Sequence, residues 1–538
     1  MATDIPELIR HIVQYLDSVT LKAFSLVCKA WYLNAQPILW SHFVCRVPQK
    51  CSESPEEYAL WLDTIRKNAI SFRHISYLGA LNPTTPEIYD ILLGRCHGLV
   101  SITTYVVKSH FLGPIYCWED TLASLIKTNR VTLQRLDLRL TEGLPMTFLR
   151  SLLTGLQHLR SLELSARKMM VEDLLAILDA LPSSLESLSL ATDLEKGLES
   201  LIMAAALKRR HPGSHRIHSS ISSISSIPSI AKPLRLKYLS IPHYCFKGIM
   251  EDVLSRLAAH SLQGLQISTM HPLRISPTIR DALWRLTSLH LQEFQSGDGW
   301  TLPGILEAIH PHQLRRLYVY RMNTESAAML IEKQHQSLES LTLHLEEDHA
   351  GALADILATC RRLKSLTFSV PPFVDIRTLI DPQKPWVCAE LEIIKGYFGL
   401  PRPVRSLASD EGIEVTISKR IEEQFMRRLG RLTNLRCLVQ NECYLGPICA
   451  SSMIKEGIME WSLTSGLGHL HGLVNLRTFK VLNRGPQKWI GVPEMMFIKQ
   501  HWQSLRVMVC NDVGDIAVQE WLVAEWPELK ASAEKYTW

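Results

Sequence analysis

Residues 133–138 read LQRLDL, residues 159–164 read LRSLEL and residues 185–190 read LESLSL. Each stretch places apolar residues at its first, fourth and sixth positions. The last two lie two residues apart, so on an extended strand both side chains point to one face. The pattern returns at Leu236/Leu239/Ile241, Leu262/Leu265/Ile267 and Leu286/Leu289/Leu291. It continues at Leu314/Leu317/Val319, Leu338/Leu341/Leu343 and Leu363/Leu366/Phe368. The first residues of successive copies are 26, 26, 51, 26, 24, 28, 24 and 25 positions apart. Weaker copies stand at Phe72/Ile75/Tyr77, Leu99/Ile102, Leu391/Ile394, Leu435/Leu438, Leu476/Phe479/Val481 and Leu505/Met508. Helical stretches such as VEDLLAILDAL (171–181) and MEDVLSRLAAH (250–260) lie between copies. A lone strand–helix unit exposes an apolar face that stacking on its neighbours buries. The pattern predicts an α/β fold, a curved solenoid with parallel strands inside and helices outside.

This spacing resembles the leucine-rich-repeat family. The Asn or Cys that often closes the strand turn in that family is not regularly present, so the repeats are degenerate, especially beyond residue 370. The interval of 51 holds about one extra unit, including the Ser-rich stretch 208–233, KRRHPGSHRIHSSISSISSIPSIAKP. It reads as a flexible surface insert, tolerated or regulatory; phosphate on its serines would add negative charge beside Lys208, Arg209 and Arg210. Residues 400–420 read as a second, irregular insert.

Residues 4–40, DIPELIRHIVQYLDSVTLKAFSLVCKAWYLNAQPILW, have a different pattern. Asp4 suits a helix cap and Pro6 its first turn, and Leu8, Ile12, Tyr15 and Leu16 recur at helical spacing. Asp17-Ser18 breaks the stripe. Thr20 suits the cap of a second helix, and Pro37 the end of a third. Three helices this short cannot bury a full core alone, so part of their apolar surface needs a partner. The run Ile12–Trp31 resembles the F-box family: an apolar residue, Leu16-Asp17, Leu21, Leu26-Val27 and Trp31 at fixed offsets, with Ile5-Pro6 standing where the family opens on Leu-Pro. One residue fewer separates Pro6 from Ile12 than in the commonest form, which leaves the first helix start open.

The resemblance implies a Skp-type adaptor as partner, and through it cullin and RING subunits. It assigns Ile5, Pro6, Leu8, Ile12, Leu16, Leu21, Leu26, Val27 and Trp31 to the F-box core or the adaptor surface, without dividing them between the two. The expected organisation is an F-box at 1–40, a helical linker at 41–70 and a degenerate leucine-rich-repeat-like solenoid at 71–538. This plan resembles large fungal F-box families.

The remaining composition narrows the function. Net charge is +5 over 538 residues, and the basic residues form only short doublets, so nucleic-acid binding is not expected. The sequence shows no signal peptide and no apolar run long enough to span a membrane, which points to an intracellular chain in cytoplasm or nucleus. The twelve cysteines are spread singly, without zinc spacing. No phosphate loop, nucleophile elbow or HExxH helix is present, and the expectation is a non-catalytic chain needing no cofactor. On the polar strand face, Arg316, Tyr318 and Tyr320 share one copy of the repeat, with His290 and Gln292 on the copy before and His344 on the copy after. Tyr and Arg dominate interface energetics, so these six form a candidate substrate surface. The function expected is the substrate-recognition subunit of a ubiquitin ligase. The alternatives are a binding scaffold outside an active ligase and, third, an enzyme using the solenoid face as its cleft.

Overall fold

The computed structural model describes residues 9, 12–45, 54–78, 86–106, 118–140, 146–166, 171–192, 233–245, 247–269, 273–293, 301–345, 350–369, 374–400, 411–440, 459–481, 490–510 and 515–532. They divide into two units, residues 1–262 and 263–538.

The first unit is built on parallel strands β1 (His42–Val44), β2 (His74–Leu78), β3 (Ser101–Val106), β4 (Arg135–Leu140), β5 (Ser161–Ala166), β6 (Ser187–Thr192) and β7 (Tyr238–Cys245), each paired with the next. Leu136, Leu162, Leu188 and Leu239 stand in register across four strands and are all buried. The helices Pro55–Asn68, Pro86–Arg95, Trp118–Thr128, Met146–Leu153 and Val171–Ala180 form the second layer, each packed on its successor. β6 pairs directly with β7, Ser187 opposite Tyr238, so the interval of 51 places no strand between them. Residues 193–232, which include most of the Ser-rich insert, lie outside the described residues.

The second unit repeats the plan with β8 (Gly264–Thr269), β9 (Ser288–Glu293), β10 (Arg316–Met322), β11 (Ser340–Leu345) and β12 (Ser365–Ser369). A short side pair, β13 (Val374–Asp375) with β15 (Phe398–Gly399), brackets β14 (Ile393–Gly396). The main ladder runs on from β12 through β14 to β16 (Cys437–Gln440), β17 (Thr478–Val481), β18 (Val507–Cys510) and β19 (Lys530–Ser532). Parallel register thus persists past residue 370, where the sequence pattern weakens.

A backbone device repeats with the strands. The carbonyl of Val100 accepts from the N–H groups of both Gln134 (2.8 Å) and Arg135 (3.0 Å). The carbonyl of Gln134 does the same for Arg160 and Ser161, and that of Arg160 for Glu186 and Ser187. In the second unit Thr287, Arg315, Glu339, Lys364, Glu392, Arg436 and Arg477 serve their successors in the same way. One carbonyl with two lone pairs satisfies two donors that the turn would otherwise leave buried and unpaired.

The family's missing turn residue is replaced by other side chains. Asn129 is fully buried; its Oδ1 accepts from Leu99 N–H, and its Nδ2 donates to the carbonyls of Cys96 and Leu125, each at 2.9 Å. Gln334 does the same work one unit on, accepting from Gln313 and Leu314 N–H at 3.0 Å and donating to His310 O at 3.2 Å. Trp502 Nε1 closes a further turn on Leu470 O at 2.9 Å.

Four local expectations differ from the structure. The linker 41–70 contributes β1 as well as the helix Pro55–Asn68, because Phe43 packs on Phe72 with centroids 4.6 Å apart and planes 6° from parallel. Asp17, not Thr20, caps the helix Ser18–Ser25: its carboxylate accepts from Thr20 N–H at 2.7 Å. Pro37 lies inside the helix Lys29–Leu39, in its last turn, rather than ending it. Within 400–420, residues 401–410 are outside the described residues, and from Glu411 the chain is a regular helix to Gly430.

Glu422 on that helix is 6 % exposed, and burial pushes its carboxyl up to about 8, with Glu460 adding to the rise and the Glu460 N–H (3.3 Å) and Lys419 opposing it. The folded value lies above the ordinary 4.5, so the unfolded chain releases its proton first as pH rises. The contribution to stability is complete below about pH 4.5 and lost as pH passes through about 8. Replacing Glu422 by Gln removes this dependence. Urea titrations at pH 5 and pH 9 should show the variant gaining on the parent by on the order of 2–4 kcal/mol at the higher pH. Replacing Asn129 by Ala strands the Leu99 N–H and the Cys96 carbonyl, while the Leu125 carbonyl keeps the backbone N–H of residue 129, and should cost about 3 kcal/mol. Its denaturation midpoint should fall well below that of Gln134→Ala, whose side chain is exposed.

Candidate functional site

Two regions present side chains suited to partners: the N-terminal helices and the polar face of the strands.

In the N-terminal segment, Ile9, Ile12 and Val13 are helical, followed by the helices Ser18–Ser25 and Lys29–Leu39. Ile9, Val13, Leu21, Trp31 and Ala35 form a small core, with Ile12, Leu16, Phe24, Ile38 and Leu39 packed against it. The rings of Phe24 and Trp31 lie 4.7 Å apart. Around this core, Tyr15, Val19, Leu26, Val27, Tyr32 and Leu33 are exposed, Leu26 to 86 %. These are six of the eighteen large exposed apolar residues among those described, and they fall within residues 15–33. Isolated exposed apolar residues are ordinary, whereas a concentration of them marks an interaction surface.

The segment is fixed to the first repeats. Gln36 Nε2 donates to Asn68 Oδ1 at 2.6 Å, and Asn68 in turn donates to Thr64 O. Trp40 stacks on Phe72 with centroids 6.3 Å apart, and the Ser41 carbonyl accepts from both Arg73 and His74 N–H. The helices therefore run without a break in hydrogen bonding into β1 and β2.

Of the residues assigned from sequence, Ile5, Pro6 and Leu8 lie outside the described residues. Leu21 and Trp31 are buried, Ile12 and Leu16 half-buried, and Leu26 and Val27 exposed. The sequence reading missed Ile9 and Val13 in the core, and Val19, Tyr32 and Leu33 on the surface. Helical period alone could have flagged Ile9 and Val13 as lying on the face of Ile12 and Leu16.

On the second unit's polar face, Tyr318 stands in register with His290 on one side and Thr342 on the other. The rings of His290 and Tyr318 are 3.9 Å apart, and those of Tyr320 and His344 are 5.0 Å apart and within 13° of parallel. Gln292 Oε1 accepts from Ser268 Oγ at 3.1 Å, and Arg316 is exposed at the edge of the patch. His290 Nε2 is buried with no hydrogen-bond partner, and burial lowers the ring's pKa, so it is neutral at pH 7. A buried unpaired ring nitrogen between a tilted and a stacked ring pair is a polar group that a ligand donor or acceptor could satisfy. Ser268 completes this patch and was not singled out from sequence.

Cys360 and Cys510 are buried, and burial pushes the Cys360 thiol up to about 11, so it is not a thiolate at neutral pH. Cys117 lies outside the described residues. His469 faces Glu423 at 3.0 Å, and His471 the carbonyl of Gly468 at 3.1 Å. Among the described residues no group of three or more His, Cys, Asp or Glu is placed to hold a metal, and no helix is long and apolar enough to cross a membrane.

Residues 6–46 match the model of the family described as F-box-like. A comparison with curated proteins gave no match. Among solved structures, the leucine-rich-repeat-containing protein LegL7 from Legionella pneumophila is similar at 14 % identity, over 68 % of this chain and 88 % of that one, with a TM-score of 0.29. A chain of the yeast Rad7 and Elc1 complex is similar at 13 % identity, over 90 % of this chain and 98 % of that one, with a TM-score of 0.35. Strand register and spacing define the repeats. The chain thus joins an F-box-like segment at residues 6–46 to a leucine-rich-repeat type of parallel strand array flanked by helices.

Proposed function

We propose that the chain is the substrate-recognition subunit of a Skp–cullin–F-box type ubiquitin ligase. The carrying observation is the coincidence of an F-box-like match at residues 6–46 with the exposed apolar side chains between Tyr15 and Leu33. Leu26, Val27, Val19, Tyr32 and Leu33 form the adaptor-binding surface. Leu21, Trp31, Val13 and Ile9 hold the helices that present it. A Skp-type adaptor bound there brings cullin and RING subunits, and the strand array holds a protein substrate. No bond-making group is then required of this chain, because holding the substrate beside a ubiquitin-loaded enzyme raises the effective concentration of the reacting groups. Gln36–Asn68 and the Ser41 carbonyl tie the adaptor surface to the first repeats of the same unit.

Co-expression with a Skp-type adaptor tests the first half. The intact chain should bind and carry cullin with it. Leu26→Asp/Val27→Asp should weaken adaptor binding at least thirtyfold, about 2 kcal/mol, with an unchanged circular dichroism spectrum. Trp31→Ala should instead destabilise the segment by about 3 kcal/mol or more and lose binding through unfolding. Adaptor binding without cullin would favour a scaffold outside an active ligase.

The His290/Tyr318 and Tyr320/His344 pairs, with Arg316 and Gln292, are the proposed substrate contact. Tyr318→Ala/Tyr320→Ala should keep adaptor and cullin but lose proteins that co-purify with the parent complex by quantitative mass spectrometry. An unchanged set of co-purifying proteins would remove these residues from substrate binding.

A further inference from the structure

The polar face of β1–β5 encloses a recess of about 660 Å³. Its base is a row of first-strand positions held in register: His42, His74, Ser101, Arg135 and Ser161. His42 and His74 stack with centroids 4.3 Å apart and planes within 17°. Each ring has its Nδ1 2.9 Å from a serine hydroxyl, Ser41 and Ser101 respectively. That leaves Nε2 as the second polar atom of each ring.

The charges in the recess are unequal. Three arginines line it, Arg135, Arg139 and Arg160, against a single carboxylate, Asp137. Asp137 is 4 % exposed and already engaged: Arg139 grips it through Nε (3.3 Å) and one terminal nitrogen (3.2 Å), and the same guanidinium lies 3.7 Å from Glu163. Arg139 is therefore spent on neighbouring acids and fixes the buried carboxylate. Arg135 and Arg160 are exposed and have no acidic partner among the described residues. Arg135 opens β4, and Arg160 immediately precedes Ser161, its register partner on β5, so the two guanidiniums start from adjacent strands roughly 4.8 Å apart.

We propose that this recess binds an extended acidic peptide segment, with carboxylates on Arg135 and Arg160 and the histidine pair and hydroxyls of Ser101 and Ser161 on the peptide's polar atoms. A guanidinium presents two parallel N–H groups that match a carboxylate. The volume is in the range that encloses a ligand of several groups, roughly 300–1,000 Å³, rather than a lone ion. A nucleic-acid strand fits less well. Its backbone carries a charge on every nucleotide, a longer and denser row than two exposed guanidiniums on adjacent strands neutralise. The inference deepens the receptor reading by naming the class of segment received; its biological role rests on that reading, but the binding does not.

The test uses the full-length chain and a fluorescein-labelled dodecapeptide of alternating Glu and Gly, followed by anisotropy in 100 mM salt. Saturable micromolar binding is expected. It should weaken at least tenfold when Gln replaces Glu in the peptide, and at least tenfold for Arg135→Ala/Arg160→Ala. Arg135→Lys/Arg160→Lys should recover part of the loss. Both variants should keep the parent's thermal midpoint and its adaptor binding. Equal binding of the Glu and Gln peptides, no binding, or full affinity in the double-alanine variant would overturn the proposal. So would a twelve-residue oligothymidylate that binds more tightly than the peptide and is lost in that variant, which would mark a nucleic-acid site. A chain that binds the peptide but no adaptor would leave the recess standing and remove the ligase reading alone.

Discussion

The array depends on one shared acceptor per repeat. A carbonyl just before most strands takes two N–H groups from the next repeat, from Ser41 through Glu186 in the first unit and from Gln263 through Arg477 in the second. The two donors come from consecutive residues, so the register cannot slip by one without breaking both bonds. That constraint puts every leucine of the pattern on the buried side and every residue beside it on the open side. Side-chain identity on the open face is then free to vary, and it does: small hydroxyls in some repeats, His and Arg in β1–β5, Tyr and His in β9–β11.

This explains what was legible in the sequence. Buried positions repeat because each meets the same neighbour one repeat away, and Leu136, Leu162 and Leu188 announce the strands without help from any other residue. β1 was hidden because His42–Val44 has a single buried residue, Phe43, and no preceding leucine at the right offset. The turn-closing residues were illegible for a related reason. Asn129, Gln334 and Trp502 solve the same problem from different distances, so no fixed offset links them. The cap at Asp17 was missed because Asp17, Ser18 and Thr20 are all good capping residues, and only the backbone direction chooses among them.

Among the N-terminal residues, the family pattern located the apolar positions but not their roles. Leu26 and Val27 fall just past the end of the helix Ser18–Ser25, where helical period no longer says which way a side chain points. Trp31 is large and central, yet it serves the core, its ring tilted against Phe24, rather than the surface. Sequence offsets carried composition, and packing carried the division of labour. The recess of β1–β5 was illegible for a different reason: it is made of residues that are unremarkable one at a time and acquire a charge pattern only when five strands bring them side by side.

The direct pairing of β6 with β7 has a bearing on how such a chain can change over time. β6 and β7 are parallel neighbours with Ser187 opposite Tyr238, so the intervening sequence joins two points that the ladder fixes, the end of one strand and the start of the next. The entropic cost of joining two fixed points grows only with the logarithm of the length between them, about 0.6 kcal/mol for each doubling. Sequence can therefore be gained or shed at this seam at small thermodynamic expense, without moving any other repeat. The seam is a place where new regulatory content can be tried on an unchanged scaffold, and where related chains would be expected to differ most in length while agreeing in register on either side.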